Sequence, residues 1–164
     1  PMNLTAELSY SSLAALEKQL RGYADGLDEK SGQLAEELAE TAANTAKEMC
    51  PSTRVTETIG SRRTADGAEA FANGPVLTPS DGSYEVPLSH ILEFGSGIRG
   101  DAAYGAENGY TVNQSGRGES GWTYPKDDGS FGFTHGHIAS RFMGAGADEA
   151  RSEVVNTAKR IFKS

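Results

Sequence analysis

A single cysteine in 164 residues, Cys50, excludes an intrachain disulfide and fits synthesis in a reducing cytosol. Long apolar runs are missing too: no stretch approaches the roughly 18 consecutive apolar residues of a membrane helix. The chain does not open on the charged-then-apolar pattern of a secretory signal. Positive charge is scarce, with 15 Lys and Arg against 23 Asp and Glu, for a net charge of -8. Proteins that grip nucleic acid by neutralising phosphates rely on clustered Lys and Arg, so the balance argues against that class. No glycine loop followed by Lys-Ser or Lys-Thr is present to cradle a phosphate, nor is a dinucleotide fingerprint, and no internal repeat is visible.

What the chain does have is a globular composition, 37% hydrophobic and 23% charged, over a length that suits one domain, 1–164. Charge is uneven along it. Residues 1–50 carry nine acidic and four basic side chains, whereas residues 148–164 carry three and four. Two helices of unlike charge are able to pair, although a solvated face explains the same pattern. Glycine is uneven as well, with ten of the 20 falling in the 39 residues from 95 to 133.

Residues 1–50 read as a helical segment. Leu13, Leu16, Leu20 and Leu27 recur at helical spacing after Ser11 and Ser12, which suit N-caps. A break is expected near Ser31-Gly32. A second stripe follows, with Leu34, Leu38, Ala42, Thr45 and Met49, ended by Pro51. Its alanine content favours close packing on a sheet or another helix. Residues 52–94 read as strands and a short helix. "TRVTETI" (53–59) is β-branched enough for a strand, "GAEAFAN" and "PVLT" offer one or two more, and "GSYEV" follows an Asp81-Gly82 turn. A flexible glycine-rich loop is expected over 95–120, poorly ordered in an isolated subunit. A hairpin follows over 121–134, built from "GWTYP" and "SFGF" around "KDDG", then a C-terminal helix over 140–162 with Val154, Val155, Ala158, Ile161 and Phe162 as its apolar stripe. The expected fold is α+β: a small, mainly antiparallel sheet packed with the N-terminal helical segment and the C-terminal helix.

Candidate sites are few. "HILEFGSG" (90–97) places Gly95 and Gly97 directly beside Ser96, whereas a nucleophile elbow needs Gly-x-Ser-x-Gly between a strand and a helix. The stretch reads better as a short helix with Pro87 at its first position and Gly95 just past its end. Glu93 then points away from the apolar face, free to bond backbone or a neighbouring subunit. His135 and His137 are spaced to share a metal on a strand, but nothing nearby completes a shell, and His90 is distant. Cys50 with His90 or His137 would make a thiol nucleophile and base, yet a helix C-terminus raises a thiol pKa. Asp127 and Asp128 precede Gly129 and read as turn formers, not calcium ligands. Catalytic, cofactor and metal residues are therefore expected to be absent. Trp122, Tyr124, Phe131 and Phe133 concentrate the aromatics, as a sheet's core face or as a patch for a partner subunit.

The order of these segments resembles the neck, or tail-component, family of long-tailed bacteriophages and prophages. The residues that carry the likeness are Ala46, Lys47 and Pro51, then Glu93, Phe94, Gly95 and Ser96, then Trp122, and finally Thr134, Gly136, Ala139 and Phe142. It covers roughly residues 30 to 164. Arg141 stands where the family has a proline, and "PSTRVTE" lacks the glycine that often follows the first proline.

The resemblance implies a structural, non-enzymatic virion protein, made in the bacterial host cytoplasm. It implies a homo-oligomeric ring at the head–tail joint, between a head-completion protein and a tail protein, with DNA passing through without specific binding. No membrane is involved on this reading. Glu93, Phe94, Gly95, Ser96, Trp122, Thr134, Gly136 and Phe142 become candidate subunit contacts. Another phage morphogenesis protein, such as a tail terminator or minor capsid protein, is the alternative. A small metal-dependent hydrolase using His135 and His137, or a non-phage binding module, is the remoter one.

Overall fold

A computed structural model describes residues 10–78, 85–115, 117–125 and 130–163. The fold is α+β. A forty-residue helix, α1 (Tyr10–Met49), is followed by a helical turn, α2 (Thr53–Thr56), and an antiparallel hairpin, β1 (Ile59–Thr64) with β2 (Gly67–Ala72). Two short strands, β3 (Val76–Leu77) and β4 (Val86–Pro87), pair antiparallel and lead into α3 (Leu88–Phe94). A 3-10 turn (Gly97–Arg99), α4 (Ala102–Glu107) and α5 (Arg117–Ser120) come next, and the hairpin β5 (Trp122–Pro125) with β6 (Phe131–Thr134) leads to α6 (Phe142–Lys163). The strands form three separate two-stranded ribbons among the described residues, where the sequence suggests one small sheet.

The core is small and lies where α6 runs back along the second half of α1. Ala43 and Ala46 of α1 meet Phe142 of α6, with Val55, Ile59 and Leu92 closing the cluster. Close approach explains the alanines: a Cβ on Gly146 would lie 2.3 Å from the Ala42 carbonyl oxygen and 3.3 Å from the Ala46 Cβ. The buried face of α1 is therefore Ala39, Ala43 and Ala46, rotated about one residue from the expected stripe, and Met49 is 54% exposed. At the far end of the contact Arg160 pairs with Glu37, holding that carboxyl below its usual range, chiefly through the hydrogen bond from the guanidinium.

Several expectations are corrected. There is no break at Ser31-Gly32: the helix is continuous, and Gly32 makes room for Arg63, whose Nη2 would lie 2.8 Å from an added Cβ. Ser11 and Ser12 lie inside the helix, which already includes Tyr10. The stretch 53–59 opens as a helical turn, not a strand, because the Ser52 carbonyl accepts from the Val55 and Thr56 amides (3.0 and 2.9 Å); the strand begins at Ile59. Pro87 is the residue before α3 rather than its first helical position, so the helix begins one residue later than expected, at Leu88. On α6, Ile161 is buried, but Val154 and Val155 face out at 38% and 58% exposure.

The span 95–120 is not one loop. It contains the 3-10 turn, α4 and α5; Asp101 caps α4 by accepting from the Tyr104 amide (2.9 Å), and Val112 is buried. The turns at Asp81-Gly82 and "KDDG" lie outside the described residues.

The hairpin register corrects the aromatic reading. Phe133 pairs with Thr123 and Phe131 with Pro125, so both phenylalanines share the face opposite Trp122. They are 61% and 73% exposed, and therefore are not core.

Candidate functional site: a carboxylate knot at the start of the last helix

The first turn of any helix leaves backbone N–H groups without intrahelical partners. At α6 these are answered from about fifty residues away by Glu93, which is 5% exposed. Its Oε2 accepts from the Met143 amide (2.8 Å), and its Oε1 accepts from the Gly144 amide (3.0 Å). The Tyr104 hydroxyl donates to the same Oε1 at 2.5 Å. A carboxylate here also meets the positive end of the α6 dipole. Glu93 reaches this position because α3 ends at once: Gly95 takes φ 76°, ψ -173°, backbone open to glycine and strained for other residues.

The chain then crosses itself. Ser96 and His137 exchange backbone hydrogen bonds (2.9 and 3.1 Å), and the Ser96 hydroxyl also accepts from the His137 amide at 3.0 Å. The Leu92 carbonyl accepts from the Ser140 amide (2.8 Å) and hydroxyl (2.7 Å), and the Glu93 carbonyl accepts from the Arg141 amide (3.1 Å). Two glycines permit the crossing. A Cβ on Gly136 would lie 1.7 Å from the Ser96 oxygen, and one on Gly95 would lie 2.5 Å from the His137 oxygen.

Arg141 completes the knot from outside. Its guanidinium pairs with Asp101 and lies 4.6 Å from the Tyr104 ring centroid. Its φ of 53° is closed to proline, which is locked near -65°, and its amide is a donor that proline lacks. The departure at 141 thus belongs with this particular helix start. Asp101 is held below the ordinary aspartate value of 3.8, first by the Tyr104 amide and then by Arg141. What that shift contributes is present above the unfolded pKa and is lost as pH falls through the lowered folded value.

Tyr104 is pushed the other way, well above its ordinary 10.0, by burial first and by the bond to Glu93 second. Its contribution is complete below the unfolded pKa and disappears only as pH rises through the raised folded one. In an alkaline absorbance titration of the six tyrosines, at least one is expected to ionise only together with loss of the fold. Tyr104→Phe should remove that delayed component. A wild-type titration with every tyrosine near pH 10 would contradict the buried bond.

The structure therefore takes up half of the eight candidate contact residues inside one subunit. Glu93, Gly95, Gly136 and Phe142 are buried, and Phe142 is fully enclosed in the core. Within this subunit the Glu93 and Phe142 side chains are turned inward rather than presented at the surface. Phe94, Ser96, Trp122 and Thr134 are half-buried, with Phe94 stacked on Tyr110 at 4.6 Å between centroids. Glu93 is not free for a partner, and Ser96 is held as a structural hydroxyl.

His135 Nδ1 lies 3.1 Å from the Glu119 carbonyl oxygen and His137 Nδ1 lies 2.7 Å from that of Ile138. Among the described residues no three His, Cys, Asp or Glu side chains gather as a metal shell. The Cys50 thiol donates to the Ser52 carbonyl at 3.6 Å. A cleft of about 680 Å³ opens beside the knot, and Ser89, His90, Phe94 and Tyr104 are among its lining residues. Among the described residues, no helix is long and apolar enough to cross a membrane.

Sequence reasoning missed Tyr104, Asp101 and Arg141 as one group. Asp101 and Tyr104 gave no signal beyond polar side chains in a glycine-rich stretch, where no periodicity picks them out, and Arg141 stood out only as a departure from the family's proline. No family model, curated protein or solved structure matches the chain.

Proposed function

We propose that the protein is a structural component of a phage head–tail neck, acting as a ring of identical subunits around the DNA channel. The observation that carries this reading is spatial. "EFGS" and "THG" through Phe142, which carry the sequence likeness, meet in one crossing that fixes the start of α6. Residues far apart in the chain are spent on rigidity, which suits a subunit that holds its shape under load in an assembly.

Two further features agree. The chain's charge of -8 would keep a duplex from sticking to a channel wall, by like-charge repulsion. The β5–β6 hairpin offers Phe131 and Phe133 to solvent on one face, with Ile98 and Ile138 also exposed at 50% and 68%. Aromatic side chains of this kind are what protein interfaces concentrate. On this reading the hairpin face, not the buried knot, is the head-to-tail contact between neighbours, and such contacts close into a ring when the rotation closes.

A deletion through 99–118 would remove Asp101, Tyr104 and Val112 from the body, so surface substitutions make the cleaner test. Phe131→Ser with Phe133→Ser should abolish ring formation, with a loss of about 2 kcal/mol or more per contact. Thermal unfolding of the monomer should move by less than a few degrees, since both side chains are exposed. Rings that form as readily in the double variant, in negative stain at matched concentration, would sink the hairpin assignment.

A further inference from the structure

The first half of α1 stands apart from the body. Residues 17–25 are exposed on every side of the helix, and among its described side chains complete burial appears only at Ala39, Ala43 and Ala46. Yet this arm is not a solvated polar helix. Leu13, Leu20, Tyr23 and Leu27 are 49, 47, 57 and 38% exposed, with Leu16 half-buried between them. Their positions, 13, 16, 20, 23 and 27, step by three and four in strict alternation, and Leu34 resumes the series after Lys30.

That 3-4-3-4 step is the heptad pattern of a helix-on-helix seam. A straight helix drifts by only about 20° per heptad from it, so over the two heptads from 13 to 27 the five side chains share one face. The arm also carries Gly22 and Gly26, with no neighbouring atom within 4 Å of an added Cβ at either. Each costs about 1 kcal/mol relative to alanine, and a lone helix of this length is marginal in water even without them. Its helicity needs a partner along the stripe.

The flanks say which partner. The positions beside the seam hold Glu17, Gln19, Ala24, Gly26, Ser31 and Gln33, a single charge in a chain rich in carboxylates. Glu17 is itself countered by Arg21 on the same helix at 2.8 Å. Seams that select a different partner carry charges at these positions, to attract it and to repel themselves. Here the flanks are small or neutral, and two identical helices meet without repulsion. Lys30 interrupts the seam once, as a polar residue that sets register does.

We infer that residues 13–34 form a coiled-coil seam with the same segment of a second copy of this chain. The pairing does not depend on the neck reading and uses a different element from the β5–β6 hairpin. It would tie neighbouring subunits at a second point.

Sedimentation equilibrium of the full chain, combined with amide hydrogen exchange over residues 13–27, tests it. The mass should rise with concentration to at least twice 17.3 kDa, and exchange in the arm should slow at least about tenfold over the same range. The variant Leu13→Gln/Leu20→Gln/Leu27→Gln should keep the arm in fast exchange at every concentration, with an unchanged urea midpoint for the body. Fast exchange in the wild-type arm at all concentrations would overturn the pairing, as would a variant indistinguishable from wild type. An apolar or heterologous occupant would show itself as an arm protected only when that component is added, which also overturns it. Rings in both proteins with an unprotected arm would count against the pairing alone. A protected arm without rings supports the pairing and counts against the neck reading.

Discussion

Glu93→Ala is expected to lower folding stability by about 3–5 kcal/mol, a large part of the 5–15 kcal/mol typical of a domain. The carboxylate is buried and accepts three hydrogen bonds, from the Met143 amide, the Gly144 amide and the Tyr104 hydroxyl. Alanine leaves all three donors without that partner in a site largely closed to water. Each buried orphan costs about 1–3 kcal/mol, part of which water entering the vacated space returns. Glu93→Gln keeps the shape but presents an NH2 group where one of the donors points, so its loss should be smaller, about 1.5–3 kcal/mol. Tyr104→Phe should couple to both, since the groups touch. Urea unfolding followed by Trp122 fluorescence measures the series. An alanine variant within 1 kcal/mol of wild type would mean that the start of α6 is capped some other way.

Gly136→Ala should be at least as damaging, for a different reason. The added Cβ would lie 1.7 Å from the Ser96 oxygen and 2.5 Å from its carbon, and the glycine sits at φ +124°, where L residues are strained. Backbone cannot yield as a flexible side chain would, so the Ser96–His137 pairing must open. We expect a fall in Tm of about 10 °C or more, or no soluble protein. Gly109→Ala is the control: it shares a positive φ of 73° but has nothing within 4 Å of the new Cβ. It should cost only the backbone strain, about 1–2 kcal/mol. Similar losses at both positions would show that φ alone matters and that the crossing is not tight.

These two positions show what the sequence made legible. Gly95 was readable as the stop of α3 because a helix end asks for a residue at home with positive φ, and it has φ 76°. The closing helix was readable too, from the spacing of its apolar residues, and so was the β5–β6 hairpin. Its facing was not. Alternation says that Phe131 and Phe133 share a side, but only the cross-strand register says which side, and no rule local to either strand sets it.

The same limit hid the knot. Glu93 looked available because the residues that occupy it, Tyr104 and the amides of 143 and 144, are brought there by the crossing at Ser96 and His137. A contact of that sequence separation leaves no periodic trace. Gly32 misled in the opposite direction: glycine inside a helical pattern usually signals a break, yet here it seats the Arg63 guanidinium against the helix. The expected stripe on α1 was off by one position for a related reason. Spacing alone marks Leu34, Leu38 and Met49 as the buried face, whereas the close approach of α6 selects the smallest side chains rather than the most hydrophobic ones.

The measurement that tests the neck assignment most directly is electron microscopy of phage particles assembled with this chain carrying a gold-binding tag after the exposed end of α6. Gold is predicted at the junction of head and tail, several labels per particle, as a ring of identical subunits requires. Complete, infectious particles with no label at that junction, from cells in which the tagged chain is the only copy, would contradict it.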